Sequence, residues 1–272
     1  MFTLGGSGDF IKSDSQGINK TDQINQFNPK FGITWEPITG TVLRAAAFRT
    51  MKRTLISNQT LEPTQVAGFN QFFDDINGTD AWHYGGAIDQ QFSKDIYSGV
   101  EFTKRDMNVP YLDFSDPETP ANRKVDWEEY LGRAYAFWTP HEWLALRVEY
   151  QYERAKRAEE LTNGVKDMYT HRVPLGISFF HPSGLSTSLK ETYFHQNGNF
   201  ETISGEGFRS GTSDFWLLDT AISYRLPKRY GFISIGATNL LDRKFNYFDT
   251  DVNNPIIQPS RTWFTRVTLA LP

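Results

Sequence analysis

Apolar and polar residues alternate along much of the chain, and residues 144–154 are the clearest example. One set of alternate positions is apolar or aromatic: Leu144, Leu146, Val148, Tyr150 and Tyr152. The intervening set is mostly polar: Ala145, Arg147, Glu149, Gln151 and Glu153. Because the side chains of a strand point alternately to its two faces, the segment is predicted to be a β-strand with one apolar and one polar face.

The same two-residue period recurs in other parts of the chain, namely residues 81–92, 172–179, 216–226 and 263–271. It is weaker in residues 41–50 and 131–138, where small or aromatic residues occupy both sets. No long stretch has the period of a helix. The pattern predicts an all-β chain of about twelve strands. Their lengths are near the roughly 9–11 residues that a tilted strand of a transmembrane barrel needs.

The predicted connections are alternately short and long. Short turns, most of them marked by Pro or Gly, are expected at residues 36–40, 93–95, 139–142, 181–184 and 227–231. Long polar loops are expected at residues 14–30, 56–80, 112–125, 155–169, 196–213 and 248–260. Outer-membrane barrels combine short periplasmic turns with long extracellular loops, and soluble meanders rarely do. We therefore expect a transmembrane antiparallel up-and-down β-barrel.

Aromatic residues make up 15% of a chain whose mean hydropathy is only -0.51. An aromatic-rich soluble β-protein and a barrel with two aromatic girdles both fit this composition. The aromatic residues cluster beside both kinds of connection, which favours the girdles, because a soluble sandwich places its aromatic residues in mid-strand. The lack of long apolar runs excludes a helical membrane protein.

Charge and cysteine content narrow the function. The formal net charge is -4, from 28 Lys and Arg against 32 Asp and Glu, so we expect no nucleic-acid partner. The chain has no Cys, which removes disulfides and thiolate chemistry. Residues 1–6 lack the features of a signal peptide. For an outer-membrane protein this predicts that the chain is a fragment without its true N-terminus.

The segment Gly-Ala-Thr-Asn-Leu-Leu-Asp-Arg-Lys-Phe at residues 236–245 resembles a signature on the penultimate strand of TonB-dependent outer-membrane receptors. Its central residues are Asn239, Leu240 and Asp242, and a final strand follows at the family's spacing. Residues 28–32, Asn-Pro-Lys-Phe-Gly, also resemble the start of a strand in these barrels.

The resemblance implies that residues 1–272 form the C-terminal part of a 22-strand barrel in the cell outer membrane. It further implies a plug domain and a TonB energy-coupling system, both reached through the missing N-terminal part, and a scarce small-molecule ligand. Two features depart from the family. The chain ends Leu-Ala-Leu-Pro at residues 269–272 instead of with an aromatic residue, and it has about twelve strands.

Candidate ligand-binding residues lie in the predicted long loop at 56–80. They are Phe69, Phe72, Phe73, Asp75, Asn77 and Asp80. The aromatic rings could hold a hydrophobic or sugar-like ligand, or they could fold back over the barrel mouth. The run Asp-Ile-Asn-Gly-Thr-Asp at 75–80 has the spacing of a calcium loop, but such runs also form ordinary turns.

Motifs of enzymes and resident cofactors are not found, so we expect neither catalysis nor a cofactor. The five His residues show no metal-ligand spacing. His181 and Ser183 are close in sequence, but a tight turn gives them poor geometry for a catalytic pair. Charged residues of both signs are expected on the polar faces of the strands and to pair with neighbours: Asp89, Glu101, Arg147, Glu149, Glu153, Asp219 and Arg225.

Three functions remain open at this point. The first is energised uptake of a siderophore, cobalamin, glycan or similar ligand by a TonB-dependent receptor. The second is a passive porin-like channel of about twelve strands, and the third is an outer-membrane lipase. An upstream reading frame that encodes a plug would favour the first function, and a signal peptide directly before Phe2 would favour the second.

Overall fold

The computed structural model describes residues 1–15, 20–52, 65–71, 74–116, 121–202, 207–249 and 260–270. Strands dominate these residues, and the one helical element among them is a 3₁₀ turn at Pro227–Arg229. No helix in the described part is long and apolar enough to cross a membrane. The predicted all-β class is confirmed.

Fourteen strands follow one another in the described residues. They are β1 Phe2–Ser15, β2 Lys20–Ile38, β3 Thr41–Met51, β4 Gln65–Val66, β5 Phe69–Asn70, β6 Asp80–Gln91, β7 Ile96–Asp113, β8 Ala121–His141, β9 Leu144–Arg157, β10 Val165–Phe180, β11 Leu185–Glu201, β12 Phe208–Arg225, β13 Gly231–Thr238 and β14 Thr262–Leu269.

Twelve strands form one antiparallel sheet in the order β1-β2-β3-β6-β7-β8-β9-β10-β11-β12-β13-β14. Each strand pairs with its neighbour in sequence, except that the separate β4–β5 hairpin is inserted between β3 and β6. The predicted count of about twelve strands and the meander order are therefore confirmed. The pairing of the described strands does not close this sheet into a barrel, and β1 and β14 are its edges.

The five predicted short turns each join consecutive strands of the sheet. The turn between β2 and β3 ends at Gly40, whose φ of 85° favours glycine, and the turn between β10 and β11 ends at Gly184 with a φ of 94°. A register irregularity lies between Trp35 and Ile38, just before the first of these turns.

The predicted long loops are shorter than expected, because strand pairing continues into them. β11 and β12 remain in register up to Glu201 opposite Phe208, which lies within the loop predicted at 196–213. Polar residues occupy both faces there, so the alternation that marks a strand in the sequence is lost. Backbone pairing does not need that alternation, and side-chain hydrogen bonds such as Ser210 Oγ to Asn199 Oδ1 support it.

The chain divides into two compact units. Unit 1 comprises Met1–Ile88, Glu101–Leu131 and Ala155–Thr162, and unit 2 comprises Asp89–Val100, Gly132–Arg154 and Asn163–Pro272. Each unit has its own apolar clusters. One cluster in unit 1 is built around Phe48 and Phe69, and the cluster in unit 2 is built around Phe194, Phe215 and Leu217.

Candidate functional site

In each unit one face of the sheet exposes apolar side chains and the other face buries polar ones, which is the reverse of a water-soluble sheet. In unit 1 the exposed side chains of residues 26–35 of β2 are apolar, and they are Phe27, Phe31, Ile33 and Trp35. The buried side chains of the same stretch are polar, and they are Gln26, Asn28 and Lys30. We call the first set the apolar face and the second set the polar face. Water-soluble proteins normally bury the apolar set.

Unit 2 repeats this inversion. Its apolar face exposes Leu175, Ile177, Phe179, Ile222, Tyr224, Ile233, Ile235 and Val267. Its polar face buries Glu149, Thr170, Thr192 and Gln196. The register aligns the apolar face across strands, because Ile222 of β12 lies opposite Ile235 of β13, and Ile233 lies opposite Val267 of β14.

A hydrogen-bonded network of buried polar groups lies on the polar face of unit 1. Gln26 Nε2 donates to Asn28 Oδ1 at 2.7 Å and to Asp80 Oδ1 at 2.9 Å. Asn28 Nδ2 donates to Asp9 Oδ2 at 2.5 Å, and Arg49 donates to both carboxylate oxygens of Asp80. Burial of these groups is tolerated because each has a partner.

The β4–β5 hairpin lies on the polar face of unit 1. Glycines at two positions of the sheet leave the room for it. A Cβ at Gly32 would lie 2.9 Å from Val66 Cγ1, and a Cβ at Gly85 would lie 2.5 Å from Phe69 Cδ1. The Arg44 guanidinium lies 5.3 Å from the centre of the Phe69 ring and donates to Glu101 Oε2 at 3.0 Å. The hairpin is therefore held on the sheet by the packing of Val66 and Phe69 and by the Arg44 guanidinium.

A cavity of about 270 Å³ lies beside this hairpin. The side chains and backbone that line it belong to Phe48, Phe69, Asn70, His83, Tyr84, Glu101, Thr103, Lys104, Arg105 and Leu131. His83 is buried, stacks on Phe48 and shares a 2.8 Å hydrogen bond with Thr50 Oγ1. Arg105 is also buried and donates to Asp75 and Glu129, each at 2.5 Å. Aromatic walls and a few fixed polar groups are typical of a small-ligand site.

The structure places the candidate ligand residues of the 56–80 segment as follows. Phe69 is buried between the hairpin and the sheet. Asp75 pairs with Arg105 and Asp80 pairs with Arg49, so both carboxylates are bound within the chain. Asn77 is exposed in a tight turn. Phe72 and Phe73 lie outside the described residues, and ligand binding by this set stays a prediction.

In unit 2 the residues of the family-like motif form a turn where the chain leaves the sheet after β13. Asn239 is buried and has a φ of 47°, and its side chain accepts from Arg243 N–H at 2.9 Å and donates to Arg243 O at 3.0 Å. Leu240 N–H donates to Leu218 O. Asp242 accepts from Arg261 N–H at 3.0 Å. The three residues therefore shape the backbone and hold the start of the last hairpin strand.

Residues 239–249, which we call the covering segment, then run over the polar face of unit 2. Gln196 is fully buried, and its side-chain amide donates to Phe248 O at 2.9 Å and accepts from Phe248 N–H at 3.0 Å. Phe245 stacks on Phe215 with ring centroids 4.4 Å apart. Burial among these rings raises the pKa of the Tyr247 phenol, and the nearby carboxylates of Glu153 and Asp249 raise it further.

Charged residues on the polar face of unit 2 pair with neighbours, as predicted. The buried Glu149 carboxylate accepts from Arg133 at 3.1 Å and from Arg147 at 2.6 Å. Tyr135 donates to Asp89, and Lys190 pairs with Asp219 at 2.9 Å. Arg147 and Glu149 lie two residues apart on the same strand, so the sequence could suggest that pair. The other three contacts join different strands, and their partners could be identified only from the structure. The sequence indicated only that these charged residues lie on the polar faces of their strands.

The serine–histidine pair at 181–183 has the geometry of a turn. Ser183 Oγ lies 2.8 Å from His181 Nδ1, but the Ser183 backbone N–H donates to the same nitrogen at 3.2 Å. The turn before β9 repeats this contact without a serine, because Trp143 N–H donates to His141 Nδ1 at 3.2 Å. In both turns the imidazole caps a backbone N–H, which leaves this nitrogen poorly placed to act as a general base.

Within the described ranges, no group of three or more His, Asp or Glu side chains is arranged to hold a metal ion. Comparison with protein-family models and with curated proteins finds no match.

Proposed function

We propose that this chain is the barrel portion of a TonB-dependent outer-membrane receptor that imports a scarce small ligand. The observation that carries the proposal is the burial pattern of both units, in which large apolar side chains are exposed along many strands while polar side chains are buried beside the apolar clusters. An apolar surface that extends over many strands marks contact with another apolar phase. Lipid is the phase that alternating strands of this kind meet in outer-membrane proteins.

The proposal requires the sheet to close in the membrane. Lipid offers no hydrogen-bond partner to a backbone N–H or C=O group, and each unpaired group there costs several kcal/mol. The free edges of β1 and β14 must therefore be paired in the outer membrane. Closure into a barrel, within this chain or with further strands, is part of the proposal.

The receptor class is supported by the motif and by the covered polar face. Asn239, Leu240 and Asp242 make specific structural contacts at the signature position, so the resemblance extends to residues with an evident local role. On the polar face of unit 1, the cavity beside the β4–β5 hairpin offers aromatic walls and fixed polar groups. A siderophore, cobalamin or glycan could place one ring or polar arm there.

A passive channel is the second candidate, and the β4–β5 hairpin favours it. A segment that lies on the polar face of a barrel narrows the lumen, and narrowing sets the size of solute that can pass. The hairpin is seated on Gly32 and Gly85 and is therefore built into the polar face. Receptor and channel differ in whether transport needs energy.

An uptake experiment separates the two candidates. Cells that express the complete gene product would be given a radiolabelled ferric siderophore, cobalamin or maltooligosaccharide, with and without a protonophore. We expect one of these probes to accumulate, and the protonophore to abolish accumulation. Uptake that persists in the protonophore would contradict the receptor and support the channel. Recovery of the protein outside the outer-membrane fraction would refute both.

A further inference from the structure

Strand register brings two histidines side by side on the apolar face of unit 2. His171 of β10 lies directly opposite His195 of β11, and His195 lies opposite Asp214 of β12. The two imidazole centroids are 5.8 Å apart. They stand at the end of this face that is farther from the short turns, next to Tyr169, whose ring centroid is 5.5 Å from that of His171.

Both imidazoles are held through their Nδ1 atoms. His195 Nδ1 lies 2.6 Å from Asp214 Oδ1. Because an ionised carboxylate only accepts hydrogen bonds, this nitrogen carries the hydrogen, and the lone pair of the neutral imidazole is then on Nε2. His171 Nδ1 lies 2.7 Å from the Tyr150 hydroxyl, which can accept as well as donate. The same tautomer is therefore accessible to His171.

Histidines that bind a metal through one ring nitrogen have the same kind of hydrogen bond at the other. Such histidines donate their second ring N–H to a carboxylate or another acceptor, which fixes both the tautomer and the ring orientation. Tyr193 also donates to Asp214 Oδ1, at 2.9 Å, so the carboxylate is itself held in place. If these rings served only as an aromatic belt at a membrane interface, no carboxylate would be needed at a histidine nitrogen.

We propose that His171 and His195 form a two-histidine site for a transition-metal dication of the Cu²⁺, Ni²⁺ or Zn²⁺ class. Imidazole nitrogen suits these ions. Bonds of about 2.0–2.1 Å from the two Nε2 atoms to one ion are compatible with the spacing of the rings. Asp214 acts as a positioning residue, and because this charged side chain is 51% exposed, the end of the face that carries the site must lie in water, which completes the coordination. The site lies on the apolar face, so the inference is independent of ligand uptake through the polar face.

Copper binding to the full-length, untagged chain in detergent tests the site. We expect one Cu²⁺ per chain by calorimetry, and an electron paramagnetic resonance spectrum with hyperfine structure from two imidazole nitrogens. His171→Ala and His195→Ala should each abolish the two-nitrogen spectrum and weaken binding more than tenfold. Asp214→Ala should retain both nitrogens and weaken binding about 10–100-fold.

His181→Ala is the matched control, because His181 is an exposed histidine in a turn of the same unit. It should leave both the affinity and the spectrum unchanged. Near-UV circular dichroism would check the fold of every variant, and His171→Asn and His195→Asn replace any alanine variant that misfolds. A wild-type spectrum without two nitrogens, or equal affinities for the His171, His195 and His181 variants, would overturn the proposal.

Discussion

The β4–β5 hairpin of unit 1 and the covering segment of unit 2 both lie on a polar face, but different interactions hold them. The hairpin is seated by shape, since Gly32 and Gly85 leave room for Val66 and Phe69. The covering segment is held by hydrogen bonds, since the Gln196 amide pairs with the backbone of Phe248. The hairpin therefore depends on the room that glycines leave, whereas the covering segment depends on side-chain contacts, among which the Gln196 amide bonds both backbone groups of Phe248.

This difference predicts how the hairpin and the covering segment can each be displaced from the sheet. A packing contact that depends on glycine is broken when a side chain is added, because the close-packed interior has no spare volume. A buried amide contact is broken when the amide is removed, because the backbone groups that it satisfied lose their partner. Four substitutions test this contrast, in order of decreasing expected effect.

Gln196→Leu should have the largest effect. It leaves the Phe248 N–H and C=O groups without the side chain that pairs with them, and each buried group left unsatisfied costs about 1–3 kcal/mol. We expect a lower free energy of unfolding in urea and faster tryptic cleavage after Arg243 and Lys244. Asn197→Leu is the control, since the amide of Asn197 donates to the hydroxyl of the exposed Thr212. Equal losses in the two variants would contradict the anchoring role of Gln196.

Gly85→Val should displace the hairpin of unit 1. The added Cβ would meet the Phe69 ring, and overpacking of this kind costs about 1–3 kcal/mol. The adjacent Gly86→Val is a close control, because a Cβ at Gly86 meets no atom within 4 Å. Limited proteolysis of the hairpin should accelerate in the first variant alone. Similar proteolysis of both would show that the hairpin is not seated on Gly85.

Asn239→Gly should weaken the start of the covering segment by about 1 kcal/mol, the net value of a typical hydrogen bond. Glycine keeps the left-handed backbone accessible, so the variant isolates the loss of the side-chain contacts with Arg243. Asn239→Asp retains the oxygen that accepts from Arg243 N–H. Urea unfolding should therefore rank the wild type as most stable, the Asn239→Asp variant second and the Asn239→Gly variant last. A glycine variant as stable as the wild type would refute the role given to Asn239.

Arg44→Lys should have the smallest effect. Lysine keeps the charge but lacks the planar guanidinium, which in Arg44 donates to Glu101 while lying over the Phe69 ring. Such a cation–π contact contributes about 0.5–1 kcal/mol. Proteolysis of the hairpin should rise less than in Gly85→Val. Arg123→Lys, at an ion pair whose arginine is 63% exposed, should change nothing measurable. An effect larger than that of Gly85→Val would mean that charge, not shape, seats the hairpin.

The sequence predicted the strands better than it predicted the hairpin and the covering segment that lie on the polar faces. Alternation at residues 144–154 identified β9, because one face of a strand meets an apolar environment and the other does not. The same signal failed at residues 196–201, where both faces are polar although β11 continues to Glu201. Asn239 and Asp242 could be singled out because a local turn depends on their residue types.

The inward position of Phe69 and the pairing of His171 with His195 could not be predicted. The first depends on two glycines that are far apart in the sequence, and the second depends on the register between β10 and β11. The identity of one residue carries no information about which distant residue it will face. Short-range motifs and faces can thus be predicted, whereas contacts set by register need the structure.

The most direct test of the account is the environment of adjacent residues on the two faces. The natural chain has no Cys, so Ile222→Cys and Ser223→Cys can be compared in liposomes without background labelling. We predict that a water-soluble maleimide labels the cysteine at 223 and that only a lipid-soluble maleimide labels the one at 222, where the native side chain is 54% exposed. Rapid labelling at 222 by the water-soluble reagent would contradict the claim that lipid covers the apolar face.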